Sequence, residues 1–145
     1  MWAAGRNFNG QLGDGSDHDR NSFVKIMLDG AVDVAAGGYH SMVIKQDGSV
    51  WATGWNEYGQ LGDGSTRDSQ DFVQVISAGA KAVAAGGVHS MVLKEDGSVW
   101  ATGSNHHGQF GDGTTKSAAT FFKLHTFGNG AVFVPIATSI PKMHF

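Results

Sequence analysis

Residues 40–54, His-Ser-Met-Val-Ile-Lys-Gln-Asp-Gly-Ser-Val-Trp-Ala-Thr-Gly, form two β-rich arms around Gln46-Asp47-Gly48-Ser49. Asp-Gly between apolar arms predicts a hairpin, because glycine accepts the positive φ of a primed turn. The arms around Glu95-Asp96-Gly97 predict a second one. A further strand is predicted at Phe23–Met27, with counterparts at Phe72–Ile76 and Phe121–His125. A fourth is the Ala-rich Ala31–Gly38, whose small residues suit an inner strand where backbones crowd. No segment of helical length keeps a 3.6-residue period. The pattern therefore predicts an all-β unit of four strands.

That unit repeats. Trp2, Trp51 and Trp100 recur at a step of 49, as do Gly13, Gly62 and Gly111, and Asp14, Asp63 and Asp112. The block Val34–Ile44 returns as Val83–Leu93 at the same step. A fixed period in this range marks an array of supersecondary units, each of which needs a neighbour to bury its faces. Four strands per roughly 50 residues is the size of a β-propeller blade.

The string Ala-Gly-Gly-x-His-Ser-x-Val-(Ile/Leu)-Lys-x-Asp-Gly-Ser-Val-Trp-Ala-x-Gly-x-Asn-x-x-Gly-Gln-(Leu/Phe)-Gly-Asp-Gly resembles the repeat of the regulator of chromosome condensation (RCC1) family. The resemblance implies propeller blades of four antiparallel strands, in a family whose ring usually closes with seven. In those terms residues 31–77 and 80–126 are two complete blades, and residues 1–28 supply the last two strands of another. Residues 130–145 form a degenerate half blade: Gly130-Ala131-Val132 echoes Gly30-Ala31-Val32, but Pro135 and Ile136 replace the two alanines. Pro141 falls in its second strand, where proline is tolerated only at an edge or end. Too few repeats are present for a seven-bladed ring. One expectation is head-to-tail association, with a blade completed between two half blades, giving six blades from two chains or nine from three. The other is that the chain is a fragment of a longer propeller with no independent function. Open sheet edges favour association, but a heterologous contact closes a ring only if its rotation suits.

Composition narrows the function. Hydrophobic residues make up 41% and charged residues 16%, with a formal net charge of -3 and no run of Lys or Arg. Such a chain has no electrostatic reason to bind nucleic acid or an anionic membrane. It has 22 Gly but only two Pro, which reads as turns and tight packing, not a linker. Without cysteine it has no disulfide, thiolate nucleophile or cysteine metal site. No signal peptide or membrane span is visible, and the cytoplasm is the default compartment.

The chemically tempting residues mostly resolve into the repeat. His40-Ser41 and His89-Ser90 look like hydrolase pieces, yet they recur once per repeat, whereas an active site needs one convergent set. They are expected to bond backbone and lock neighbouring blades. Gly13–Asp19 hints at a calcium loop, but its sister loops lose the acids beyond Asp14, Asp63 and Asp112. His106 and His107 would point to opposite faces on a strand and could converge on one ion only in a loop, so no metal is expected there. The Gly-Gln-Leu-Gly-Asp-Gly-Ser loops lack the lysine of a phosphate loop. Asp47, Asp63 and Asp96 are repeated turn residues, so no carboxylate pair stands out for glycan hydrolysis. No catalytic residue and no cofactor is expected. The family's plant photoreceptors absorb ultraviolet light with clustered tryptophans, but their Gly-Trp-Arg-His-Thr signature is absent; Gly38-Tyr39-His40-Ser41 stands in its place.

Positions that stay the same between repeats hold the frame: Trp2, Trp51, Trp100, His40, His89, Gly62 and Gly111. Positions that change are free for recognition. The turn after the third strand reads Arg6-Asn7-Phe8-Asn9, then Trp55-Asn56-Glu57-Tyr58, then Ser104-Asn105-His106-His107. Tyr39 similarly becomes Val88. Aromatic and Arg residues on loops of a rigid scaffold make binding hot spots, so Arg6, Phe8, Tyr39, Trp55, Glu57, Tyr58, His106 and His107 are the candidate contacts for a protein partner; drift on an exposed loop is the bland alternative. The expected function is a noncatalytic protein-binding scaffold. The alternative that the resemblance implies, guanine-nucleotide exchange on a small GTPase, lacks room for the large insertion that activity uses as a wedge.

Overall fold

The computed structural model describes residues 1–26 and 29–126. The half blade expected over residues 130–145 lies outside the described residues, as do Met27 and Leu28 at the end of the first strand block.

Among the described residues ten strands form three antiparallel sheets. The first pairs β1 (Trp2–Gly5) with β2 (Arg20–Lys25). The second holds β3 (Ala31–Ala36), β4 (His40–Lys45), β5 (Val50–Gly54) and β6 (Ser69–Ile76) in sequence order. The third repeats that order with β7 (Ala80–Ala85), β8 (His89–Lys94), β9 (Ser98–Gly103) and β10 (Ala118–Thr126). The strands expected within the described residues are present, displaced at their ends: the Phe72 strand starts three residues earlier, at Ser69, and the Ala-rich strand stops at Ala36, before Gly37-Gly38.

The hairpin turns differ from expectation. Gly48 takes φ +75°, but among the described residues no non-glycine has positive φ, which excludes a primed Asp-Gly turn. Gly48 N–H donates to Lys45 O and Lys45 N–H to Ser49 O, so Gln46-Asp47-Gly48 is a three-residue loop: a type I turn closed by a left-handed glycine. Asp47 accepts from Ser49 N–H at 2.9 Å, holding the turn by its side chain.

Apolar side chains meet between sheets, and β4 buries both its faces: Met42 and Ile44 in one cluster, Val43 in another. Met42, Ile44, Val50, Ala52, Leu61 and Ile76 of the second sheet and its loop pack with Ala80 and Val92 of the third. The inner strands approach closely, as the small residues foretold: Gly38 N–H donates to Gly86 O at 3.1 Å. Val34 is nevertheless 59% exposed, because the face of β3 away from β7 has no inner strand beside it among the described residues.

A loop-on-strand contact recurs between each sheet and the next. The loop after a third strand lies on the outer strand of the following sheet. Gly15 N–H donates to Gln70 O at 3.1 Å, and Gly64 N–H donates to Ala119 O at 2.9 Å. Gly13 abuts the Phe72 ring and Gly62 the Phe121 ring. Thr53 Oγ1 sits 2.8 Å from both Gly10 O and Ser69 O, and Thr102 repeats the bridge to Gly59 O and Ala118 O. Ser41 and Ser90 hydroxyls donate to Gln11 O and Gln60 O, each at 2.7 Å.

Candidate functional site

The β3–β4 loop and the loops after β1, β5 and β9 emerge at one end of the sheets, so one face carries every variable loop. Each long loop is built on an asparagine. Asn56 is fully buried; its Oδ1 accepts from Leu61 N–H at 2.9 Å and its Nδ2 donates to Asp63 Oδ1 and Ser65 O, each at 3.1 Å. Asn7 and Asn105 repeat the arrangement, accepting from Leu12 and Phe110 N–H, each at 2.9 Å. The backbone N–H of Asn7 and Asn56 donates to Asp19 and Asp68, while Asn105 uses Ser117 at the same step. Gln60 Oε1 then accepts from Tyr58 N–H at 3.0 Å, so the residues flanking Asn56 are set on a rigid turn. Asp19, Asp68 and Gln60 were missed in the sequence, although all fall on the repeat step and the step itself was the available signal.

Truncating Asn56 to alanine strands the buried Leu61 N–H. The expected loss is about 2 kcal/mol in urea unfolding, against a change of about 0.5 kcal/mol or less for exposed Glu57→Ala. Equal effects of the two would refute the anchoring role.

Asp14 shows why the acidic loop is not open for a cation. Its side chain is 7% exposed and pairs with Arg20 at 2.7 Å. Burial alone would raise its carboxyl, but bonds from Ser16, Arg20 and Asn7 outweigh this and hold it near a pKa of about 2. The carboxylate is thus committed within its own loop.

On this frame five of the eight candidate contacts form one row across four loops. The Arg6 guanidinium lies 5.7 Å from the Tyr39 ring centre. Tyr39 meets Trp55 edge to face at 5.4 Å, Trp55 meets Tyr58 at 5.5 Å, and Tyr58 meets His106 at 6.0 Å. Trp55 N–H donates to Tyr39 O at 2.9 Å, fixing the two loops together. Perpendicular ring pairs and a cation over a ring are each worth about 1 kcal/mol, so the row is preorganised. Arg6, Tyr58 and His106 are exposed, and Tyr39 and Trp55 half-buried. Phe8, Glu57 and His107 are exposed on the same loops but stand outside the row.

The frame residues also find their places. His40 and His89 are buried. His40 Nε2 bonds Ser90 Oγ of the next sheet at 2.8 Å, so the lock between sheets is made to a hydroxyl, not to backbone as expected. Trp51 and Trp100 are half-buried; each indole N–H donates to a serine (Ser49, Ser98), under the ammonium of Lys45 or Lys94. Trp2, expected to match them, is 63% exposed. Among the described residues no three His, Asp or Glu side chains cluster as metal ligands.

Residues 1–44 and 47–93 match the regulator of chromosome condensation (RCC1) repeat, and residues 31–60 and 80–109 match a second profile of that description. No curated protein matches the chain. Among solved structures, human WBSCR16 is similar with a TM-score of 0.74 at 23% identity, over 86% of this chain and 34% of that one. Prp20p from Saccharomyces cerevisiae, in a structure described with its binding to Gsp1p and histones, gives 0.67 at 22% identity over 86% and 33%. Yeast RCC1 (Prp20) bound to Kap60 gives 0.68 at 20% identity over 86% and 32%. The chain thus spans about a third of the length of the structures it matches. These likenesses establish the fold: the sheets are β-propeller blades.

Proposed function

The chain belongs to the regulator of chromosome condensation (RCC1) repeat family, and from that premise we propose that it is a noncatalytic protein-binding propeller segment that grips its partner with the variable-loop face. The row from Arg6 through Tyr39, Trp55 and Tyr58 to His106 carries this reading. A preorganised row of aromatic side chains with Arg at its end has the composition and rigidity of a binding hot spot. The similar structures support a protein as the partner, since Prp20p is described as binding Gsp1p and histones and is seen bound to Kap60.

Binding of immobilised chain to Gsp1p and to histones, with Tyr58→Ala and Trp55→Ala beside the parent, tests the face. Truncating a central anchor is expected to weaken the complex about 30-fold, and Lys81→Ala, on β7 away from the loops, to leave it unchanged. Binding to these or any identified partner that survives both aromatic truncations rejects the loop face. Accelerated nucleotide release from a nucleotide-loaded small GTPase on adding the chain would instead favour the exchange-factor reading, which rests on family kinship alone.

We further propose head-to-tail self-association, in which copies share the propeller ring. Unpaired strand edges and the exposed Trp2, Phe23 and Val34 beside β1–β3 support it. Light scattering on a sizing column is expected to give a discrete dimer or trimer, and a monomer at every concentration rejects it.

A further inference from the structure

Resting on that shared-ring reading, we propose where a second copy of this chain docks: its Gly108–Gly113 loop lies on β2 of the first, with Phe23 seated over Gly111.

The contact is already made twice within the chain. Phe72 of β6 covers Gly13, and Phe121 of β10 covers Gly62. Phe23, Phe72 and Phe121 hold one position of the repeat, as do Gly13, Gly62 and Gly111. Among the described residues each half of the same contact is left over once. Phe23 is 73% exposed, whereas Phe72 and Phe121 are half-buried. A Cβ built on Gly62 would be 2.5 Å from the Phe121 ring, but one on Gly111 or Gly113 meets nothing within 4 Å among the described residues. The unused loop and the unused strand are thus complementary and sit at opposite ends of the array, as a head-to-tail contact needs. By analogy with Gly15 to Gln70 and Gly64 to Ala119, Gly113 N–H would donate to Asn21 O.

One feature makes the contact between copies weaker than the two internal ones. Ala4 occupies the position of Thr53 and Thr102, whose hydroxyls reach the loop carbonyls of Gly10 and Gly59. The carbonyl of Gly108 would lack that bridge, so association reversible with concentration is expected.

The chain has no cysteine, which permits a disulfide test. Ser22 and Gly113 correspond to Thr120 and Gly64, where a Cβ on the glycine would be 3.5 Å from the threonine methyl. Differently tagged Ser22→Cys and Gly113→Cys chains are mixed and mildly oxidised, beside Ser22→Cys mixed with Ser77→Cys. The first mixture is expected to give the mixed-tag disulfide in clear excess. In parallel, Phe23→Asp, at a side chain the single chain does not bury, is expected to raise the concentration for half-association about tenfold or more. A discrete oligomer that Phe23→Asp leaves intact, or equal cross-linking in both mixtures, overturns this contact and spares the shared ring. A wild-type monomer at every concentration overturns both.

Discussion

Gly62→Val is expected to cost roughly 4 kcal/mol, a large share of the stability of a small domain. Two effects add. Gly62 has φ +79°, where a side chain costs about 1–2 kcal/mol and a β-branched one more. Its Cβ would also come within 2.5 Å of the Phe121 ring, and overpacking of that kind costs about 1–3 kcal/mol. The repeat supplies the control. Gly111 has φ +66° but open space at the Cβ among the described residues, so in the single chain Gly111→Val should show the strain alone, about 2 kcal/mol. Urea unfolding of both variants at a concentration where the chain is monomeric separates the effects. Equal losses would mean that the Phe121 contact contributes nothing, and the docking of loop on strand would cease to explain how blades cohere.

That contact also marks the boundary of what the sequence discloses. Hydrophobic alternation and Asp-Gly turns announce the strands because pairing within a blade is local: β8 meets β9 across Asp96-Gly97. The turn geometry was less legible, since a primed turn and a type I turn with a following left-handed glycine share the same residues; Asp47's negative φ decides between them only in three dimensions. The frame asparagines were visible as unchanging letters, but their bonds to Leu61 N–H and Asp63 were not. The row was legible as a set of changing letters and illegible as a row. Arg6, Tyr39, Trp55, Tyr58 and His106 come from three sheets: Tyr39, Trp55 and Tyr58 meet within one blade, but only the packing angle between blades sets Arg6 against Tyr39 and His106 against Tyr58. The same angle leaves Phe8 and His107 aside, although they sit on the same loops. Trp2 shows the converse: its letter is that of Trp51, but burial depends on neighbours that a position alone does not carry.

Acid should weaken the chain well above the pH at which carboxylates titrate, and His40 is the main reason. Ser90 Oγ donates its hydrogen to Gln60 O, so it must accept from His40 Nε2–H. The neutral imidazole therefore keeps Nδ1 bare, and Nδ1 is buried with no partner among the described residues, against Gly37. A second proton would have to go there. Burial first, and the nearby His89 second, lower the His40 pKa from 6.5 to about 4. Between those values the unfolded chain binds a proton that the folded chain refuses, so stability is full above pH 6.5 and falls as pH drops toward 4. The loss from this one group is about 3 kcal/mol. His89, lowered by burial, adds to it in the same direction. Asp14 acts in a lower window: its carboxyl is lowered from 3.8 to about 2, so its contribution is present above 3.8 and is lost only as pH falls through 2. Unfolding free energy measured in urea from pH 7 to pH 4 should therefore fall steeply for the parent. For His40→Gln, which can still donate to Ser90 but cannot titrate, the fall should be shallower by about 3 kcal/mol. Parallel curves for the two proteins would show that folding does not lower the His40 pKa, so Nδ1 would take its proton in the fold and could not be the bare, buried atom described here, while the Nε2–H bond to Ser90 Oγ would stand.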